Sequence, residues 1–414
     1  NITCITGIPY ALRRAGFGVG VLLLVAIAVI TDYSLCVLVK AGNLAGVSTY
    51  QDVVEAAFGK WGFYLLTVIQ FIYPFIGKIT KVYLKLTSMI SYNVIIGDTA
   101  TKVFRRVFGV TKQSALGNRN TVIFLCTVLI TCPLSLQRNI AKLNKISLMS
   151  LVFIFFIMIF ILFRIFTFGD QVPLTEDSYS FMSDGVTEAI GIIAFAYMCH
   201  HNSFLLYESL ENPTQTRWNK VTHISLGISC IIVLTFGIAG YVTFTGFSQG
   251  DLLENYCMSD DLSNLTRLLF TVTIMLTYPI ECFVVREVLE NALWAGKAPD
   301  TKSHNILLTS VIVASAFLLS TLTDCLGIGI LAAVPLAYIL PAATYLKLDH
   351  GRLLTWQNVP PFLLVLFGVV VALCGTVFAV FNVMSGVSCS HGVEMPYCKD
   401  SDAYPTLATN TTKF

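Results

Sequence analysis

The chain has 414 residues, 55% of them hydrophobic and only 12% charged, with a net charge of +2. A soluble globular domain carries about 25% charged residues, so this composition cannot cover a water-facing surface. The net charge says nothing about nucleic acid, but there is no long basic run, and no nucleic-acid partner is expected.

The apolar residues come in blocks of roughly 20, the length a helix needs to cross a hydrocarbon core of ~30 Å. In lipid the backbone must satisfy its own hydrogen bonds, which leaves helices or closed barrels. A barrel would alternate in runs of about 10 residues, whereas Phe153–Phe163 is apolar on every face. The pattern predicts an all-α integral membrane protein with lipid as its surroundings.

In chain order, Ile5–Leu12 is apolar but too short to span. Full spans follow at Phe17–Val39, Trp61–Ile76 continuing into Met89–Phe104, Thr121–Leu136, Ile146–Phe168 and Val186–Leu210. Then come Ile224–Thr245, Leu265–Leu289, Ile306–Leu322, Gly327–Leu346 and Phe362–Val383. This predicts about 10–11 transmembrane helices, the first incomplete, by the ~20-residue ruler. The transmembrane domain is expected over 1–385, with 386–414 an extracellular or lumenal tail.

Lys and Arg in short loops set the orientation. Basic loops lie around Arg138–Lys145, Arg217–Lys220, Lys297–Lys302 and Lys347–Arg352, and the alternate loops are acidic, at Asp170–Asp184 and Asp251–Asp261. The basic loops are therefore expected in the cytoplasm. Arg105, Arg106, Lys112 and Arg119 fall on the outer side and break the rule. The sequons at Asn264 and Asn410 also fall outside, as expected glycosylation sites. Of the twelve cysteines, Cys36, Cys126, Cys230 and Cys374 lie in apolar spans, where a thiol acts as a small hydrophobe. Cys257, Cys389 and Cys398 lie outside, where an oxidising compartment allows a disulfide. Three candidates leave one over, so the pairing is open; Cys389–Cys398 is favoured because both lie in one short tail. These outer features fit the plasma membrane and an endomembrane equally.

Polar residues inside spans are costly and mark function. His200, His201, Asn202 and Ser203 stand together midway along one span and, on a continuous helix, would point to every face. A discontinuous helix lining a cavity resolves this, because freed backbone groups then meet water, ion or substrate. The spacing predicts a break near Cys199–Ser203. Hydrogen bonding between helices is the alternative. Zinc binding by the pair is disfavoured, since adjacent imidazoles diverge and no third ligand is apparent. Imidazole titrates near neutral pH, which allows a proton-linked role. Gly7 and Pro9 mark a second break, one half-span before the first full helix. Transporters built of inverted repeats break the first helix of each repeat, and here the first and sixth spans are the broken ones. Thr273 and Thr277 lie four apart and share a helix face. Their hydroxyls suit sodium, or alternatively bond back to their own helix. Glu281 reads as a charge pair with Arg286. No carboxylate or nucleophile stands at helical spacing from the histidine pair, so no enzyme is expected.

Three stretches carry a resemblance: Gly7–Phe17 (GIPYALRRAGF), Met198–Phe204 (MCHHNSF) and Leu276–Arg286 (LTYPIECFVVR). They resemble the sodium-coupled neutral amino acid transporters of the amino acid/auxin permease group, and the likeness extends over nearly the whole chain. The resemblance implies a leucine-transporter-like fold of two inverted five-helix repeats plus one helix. It implies secondary active transport of an amino acid, by sodium symport of a neutral substrate, with proton antiport in some members. A non-transporting amino acid sensor on the same fold is the alternative. Carried residue by residue, it places substrate at Gly7, Tyr92, Asn93, Cys199, His200, His201 and Asn202, and sodium at Thr277 and Thr273. No cofactor is implied beyond Na⁺ as coupling ion. Three departures stand out. The family's first helix begins upstream with an Asn and Gly-Ser-Gly, and this chain starts inside that motif. Gly77–Ser88 interrupts the third helix with Lys78, Lys81 and Lys85, at about 3 kcal/mol each on insertion scales. Leu326–Pro341 is short for the tenth helix. These departures predict impaired folding or sodium coupling.

Overall fold

The computed structural model describes residues 5–72, 87–111, 113–137, 140–175, 177–294, 301–321, 334–349, 355–384 and 395–398. Among them every regular element is helical. The half-span is α1 (Ile8–Ala15), followed by α2 (Phe17–Ala45), α3 (Tyr50–Ile72) and α4 (Thr87–Phe108). Next, α5 (Arg119–Cys126) runs through a π turn (Thr127–Thr131) into α6 (Cys132–Ser135), and α7 spans Ile140–Phe168. The sixth span is two pieces, α8 (Val186–Tyr197) and α9 (Ser203–Glu208). The remainder are α10 (Gln215–Phe244), α11 (Asp261–Trp294), α12 (Lys302–Thr321), a π turn (Pro335–Ile339) leading into α13 (Leu340–Leu348), and α14 (Val359–Met384).

Seven of these segments among the described residues are long and apolar enough to cross a membrane. The expected span count is higher. Its third and tenth members run through residues 73–86 and 322–333, which lie outside the described residues, so most of Gly77–Ser88 and the first part of Leu326–Pro341 do too. Large apolar side chains face outward along α2 (Leu22, Val25, Val29) and α7 (Leu151, Phe155, Phe156, Phe163), the arrangement lipid contact selects. The expected start at Trp61 has a physical counterpart. Gly59 adopts φ 68° and kinks α3 there, a left-handed conformation that glycine alone adopts without strain.

A corner joins α1 to α2. Gly16 takes φ 85°, and a Cβ there would lie 2.7 Å from the Met182 backbone. The first amides of α2 have no intrahelical acceptors, and the outer loop supplies them: Phe17 N donates to Ser180 O at 2.9 Å and Val19 N to Phe181 O at 2.8 Å. On α10, Gly237 and Gly240 let α1 seat close, with Ile8 and Pro9 occupying the space a side chain would need.

The buried apolar residues form two cores. One joins α1, α2, α3 on both sides of its kink, α8, α9, the second π turn, α13 and α14. The other joins α4, α5, α7, α11, α12 and the outer loop around Leu252–Cys257. α10 contributes to both, through Val233 and Tyr241 to the first and Phe236, Ala239 and Phe244 to the second. The broken helix belongs to the first core and faces α11 of the second.

The basic residues that depart from the expected orientation pattern have local acceptors. Arg119 Nε lies 2.6 Å from Asp98 and Arg106 Nε 2.8 Å from Asp261, while Arg105 donates twice to the Gly117 carbonyl. Lys112 lies outside the described residues.

Candidate functional site

The sixth span breaks where its sequence turns polar. Met198 is extended (φ −66°, ψ 119°) and ends α8. Cys199 leaves helical geometry (φ −141°), and His200–Asn202 form one 3-10 turn before α9 starts at Ser203. Asn202 N donates to Cys199 O at 3.0 Å, and Ser203 Oγ donates to the same carbonyl at 3.3 Å. The break expected near Cys199–Ser203 is thus present: Met198 N donates to Phe195 O and Ser203 N to His200 O, so α-helical bonding gives way to single i→i+3 turns there.

Its side chains divide between the two cores. His200 is fully buried, and neither ring nitrogen has a hydrogen-bond partner among the described residues. Its ring lies edge-on to Tyr338 of the second π turn, centroids 6.3 Å apart. The hydroxyls of Tyr338 and Thr31 bond at 3.0 Å, and Tyr50 donates to Leu336 O at 2.8 Å, which fixes that turn against α2 and α3. His201 points the other way: its Nε2 lies 3.2 Å from Glu281 Oε2 on α11. Asn202 Oδ1 is buried with no partner among the described residues. Unpartnered buried polar atoms cost about 1–3 kcal/mol each. A cluster of them at a helix break is what a ligand site needs.

The expected pairing of Glu281 with Arg286 is corrected by this geometry. Five residues along a helix turn about 140°, so the two point to different faces. Arg286 donates to Thr309 at 3.1 Å and lies over Phe283, and Glu281 faces the break.

Gly7 is buried and precedes α1, which has Pro9 in its first turn and no side-chain cap. Its first amides are therefore not occupied by a capping side chain. Tyr92 and Asn93 are buried on α4, and the Tyr92 ring lies 6.2 Å from that of Tyr278 on α11. They face α11, the helix that Glu281 joins to the break. Thr273 donates to Leu269 O at 2.8 Å and Thr277 to Thr273 O at 3.1 Å. Both hydroxyls therefore bond back along their own helix, which leaves oxygen lone pairs for another donor or a cation.

Two outer expectations are corrected. The disulfide joins Cys257 to Cys398, not Cys389 to Cys398. Residues 395–398 fold onto the outer loop, with Tyr397 donating to Asn255 O at 2.8 Å and its ring packed on Phe244 and Phe247. That brings Cys398 to Cys257; Cys389 lies outside the described residues. Asn264 is a poor glycan acceptor in this fold, because it is 5% exposed. Its Nδ2 donates to Met258 O at 2.8 Å, and its Oδ1 accepts from Arg267 at 2.8 Å. Asn410 lies outside the described residues.

Sequence reading missed a buried ion pair between α4 and the Leu252–Cys257 loop. Lys102 Nζ on α4 lies 2.5 Å from Glu254 Oε2 in the outer loop, with side chains 7% and 4% exposed. A lysine in an apolar helix followed by two arginines reads as the end of a span, and only the fold reveals its partner 152 residues away.

The fold defines a multi-pass membrane protein with a broken helix set between two packed cores. The family model described as transmembrane amino acid transporter protein matches residues 3–381, and the chain belongs to that family. It is 44% identical to a zebrafish (Danio rerio) protein provisionally named sodium-coupled neutral amino acid transporter 11, over 98% of this chain and 88% of that one. The human (Homo sapiens) protein of the same name is 43% identical over 94% of this chain and 93% of its own. Vacuolar amino acid transporter 2 of Saccharomyces cerevisiae is 29% identical over 92% of this chain and 81% of that one. The chain is an integral membrane amino acid transporter, and the family is not an enzyme family.

Proposed function

We propose that the chain is a secondary active transporter that moves neutral amino acids together with sodium, with substrate held at the Cys199–Asn202 break. The observation that carries this reading is the buried, unpartnered polar cluster at the break, set between two separate cores. A substrate carboxylate meets the uncapped amides at the start of α1, where the helix dipole favours an anion. The orphaned groups of His200 and Asn202 take part of the substrate's polar surface. Thr273 and Thr277 supply hydroxyl oxygens to sodium, which the relatives' names support. Two inverted five-helix repeats account for breaks in the first and sixth spans, and motion of one core against the other exposes the site to each side in turn. The transport domain is 1–385 with 386–414 an outer tail, in the plasma membrane or an endomembrane.

A second reading, proton exchange, is favoured by His201 and Glu281. This imidazole–carboxylate pair bridges the cores at the break, and Glu281 lies one helical turn from Thr277. The experiment is uptake of labelled glutamine by cells expressing the chain, in sodium and in choline, at several external pH values, with Glu281→Gln beside it. Sodium-dependent flux supports symport. Flux insensitive to sodium but driven by a pH gradient, and lost in Glu281→Gln, supports the proton reading. Binding without flux moves the function to an amino acid sensor.

A further inference from the structure

Away from the break, a second cluster of side chains stands between α2 and α10. Asp32 and Cys36 stand four apart on α2, so they share a face, and His223 of α10 projects onto that face. One ligand atom from each lies within 4.8 Å of the others. Asp32 Oδ2 and His223 Nδ1 are 2.5 Å apart. The other carboxylate oxygen, Oδ1, is buried with no partner among the described residues.

The frame around the cluster is firm. Trp218 Nε1 donates to Leu35 O at 3.1 Å and Gln215 Nε2 to Cys36 O at 3.0 Å, so α10 is pinned to α2 on the cytoplasmic side of the three donors. Lys40, one turn beyond Cys36, donates to Tyr345 at 2.8 Å and so is engaged elsewhere. His223 lies eight residues into α10, three beyond Lys220. At 1.5 Å per residue that is about 5 Å deeper than the lysine, at the inner edge of the hydrocarbon. A carboxylate at this depth is costly unless a cation meets it. The imidazole meets one of its oxygens, and the other is left over.

We propose that Asp32, Cys36 and His223 form a binding site for a divalent transition ion of the zinc type, open to the cytoplasmic leaflet. The donor set is a carboxylate oxygen, a thiolate sulfur and an imidazole nitrogen, the mixture that borderline-soft Zn²⁺ accepts. Three protein ligands leave a fourth position for water. Zinc bonds of ~2.0–2.3 Å place neighbouring ligand atoms roughly 3.4–3.6 Å apart. Side-chain rotation of about 1 Å brings the thiol in and parts the Asp–His contact. Binding releases the Cys36 thiol proton to the solvent, and the imidazole binds as the neutral ring. The ion then ties α2 to α10 and satisfies the orphaned carboxylate oxygen. His223 carries the exposed end of the site, its side chain 58% accessible, which gives the ion a path of entry.

The probe is Co²⁺ added to the full chain purified in detergent, followed by titration with Zn²⁺. The expected result is a thiolate-to-cobalt charge-transfer band with tetrahedral d–d bands in the wild type, bleached by Zn²⁺. Cys36→Ser and His223→Asn should lose the charge-transfer band, while Cys199→Ser, beside the other histidine cluster, should keep it. Zn²⁺ should raise the thermal midpoint of the wild type and not of either site variant. Folded wild type that shows no charge-transfer band overturns the proposal. So does a band that survives Cys36→Ser or disappears in Cys199→Ser. An unchanged wild-type midpoint with saturating Zn²⁺ also overturns it, and that readout does not depend on any variant folding.

Discussion

Replacing Lys102 by Met tests whether the Leu252–Cys257 loop is held by a dry ion pair. Lys102 and Glu254 meet at 2.5 Å with side chains 7% and 4% exposed, so solvent screening is slight. At an effective dielectric constant of 20 the attraction at that distance is about 7 kcal/mol, offset by the cost of bringing both ions out of water. Lys102→Met removes the attraction but leaves the carboxylate's desolvation cost, for a net loss of about 3–5 kcal/mol. The double variant Lys102→Met, Glu254→Gln removes both charges and should recover most of that loss. The assay is thermal unfolding of the purified chain in detergent at pH 7 for wild type, both single variants and the double. The single lysine variant should melt far below wild type and the double close to it. Equal midpoints for Lys102→Met and wild type would refute the dry ion pair. A double variant that is the sum of the two singles would show that the groups do not act on each other.

Burial, and next to it the Glu254 charge, lift the carboxyl of Asp251 from 3.8 to about 7. A raised folded value means that its contribution is fully present below about 4 and is lost as pH rises through about 7. Asp251→Asn keeps the cap to Leu253 and should melt like wild type near pH 4 but higher at pH 8, which a pH series of melting curves measures. Cys257→Ser or Cys398→Ser opens a link spanning 141 residues, worth on the order of 4–5 kcal/mol in the chain-entropy model; both should lower the midpoint alike, and thiol reductant should mimic them. His200→Leu removes two unpartnered buried nitrogens and should leave stability equal or higher, while substrate affinity measured by competition of uptake falls at least about tenfold, the effect of losing one hydrogen bond of ~1.4 kcal/mol.

Much of this fold was legible because a bilayer reduces the choices. Apolar runs gave the long helices to within a few residues: Phe17–Val39 became Phe17–Ala45 and Phe362–Val383 became Val359–Met384. The break was legible for a different reason. Four polar residues in a row cannot all face a protein interior on one continuous helix, so local chemistry alone required the departure seen at Met198–Asn202. Pairings between distant parts of the chain were not legible. Glu281 to His201, Lys102 to Glu254 and Cys257 to Cys398 join residues 80, 152 and 141 apart. Proximity in sequence pointed instead to Arg286 and Cys389. The Asn264 sequon misled for a related reason. The motif specifies three residues, while its burial is set by Arg267, which donates to the carbonyls of Leu253 and Tyr256 and closes the loop over the asparagine. Asp32 and His223 went unremarked, and Cys36 read as a small hydrophobe, because the three sit on two spans and form no motif on either.

Cys199 lies in the Cys199–Asn202 break and itself reports on substrate bound there. In a background with the other free cysteines replaced, the rate at which a small membrane-permeant maleimide labels Cys199 should fall when a transported neutral amino acid is present. Addition of sodium should deepen that protection. A labelling rate unchanged by any amino acid that the same preparation transports would place the substrate elsewhere and contradict the central claim.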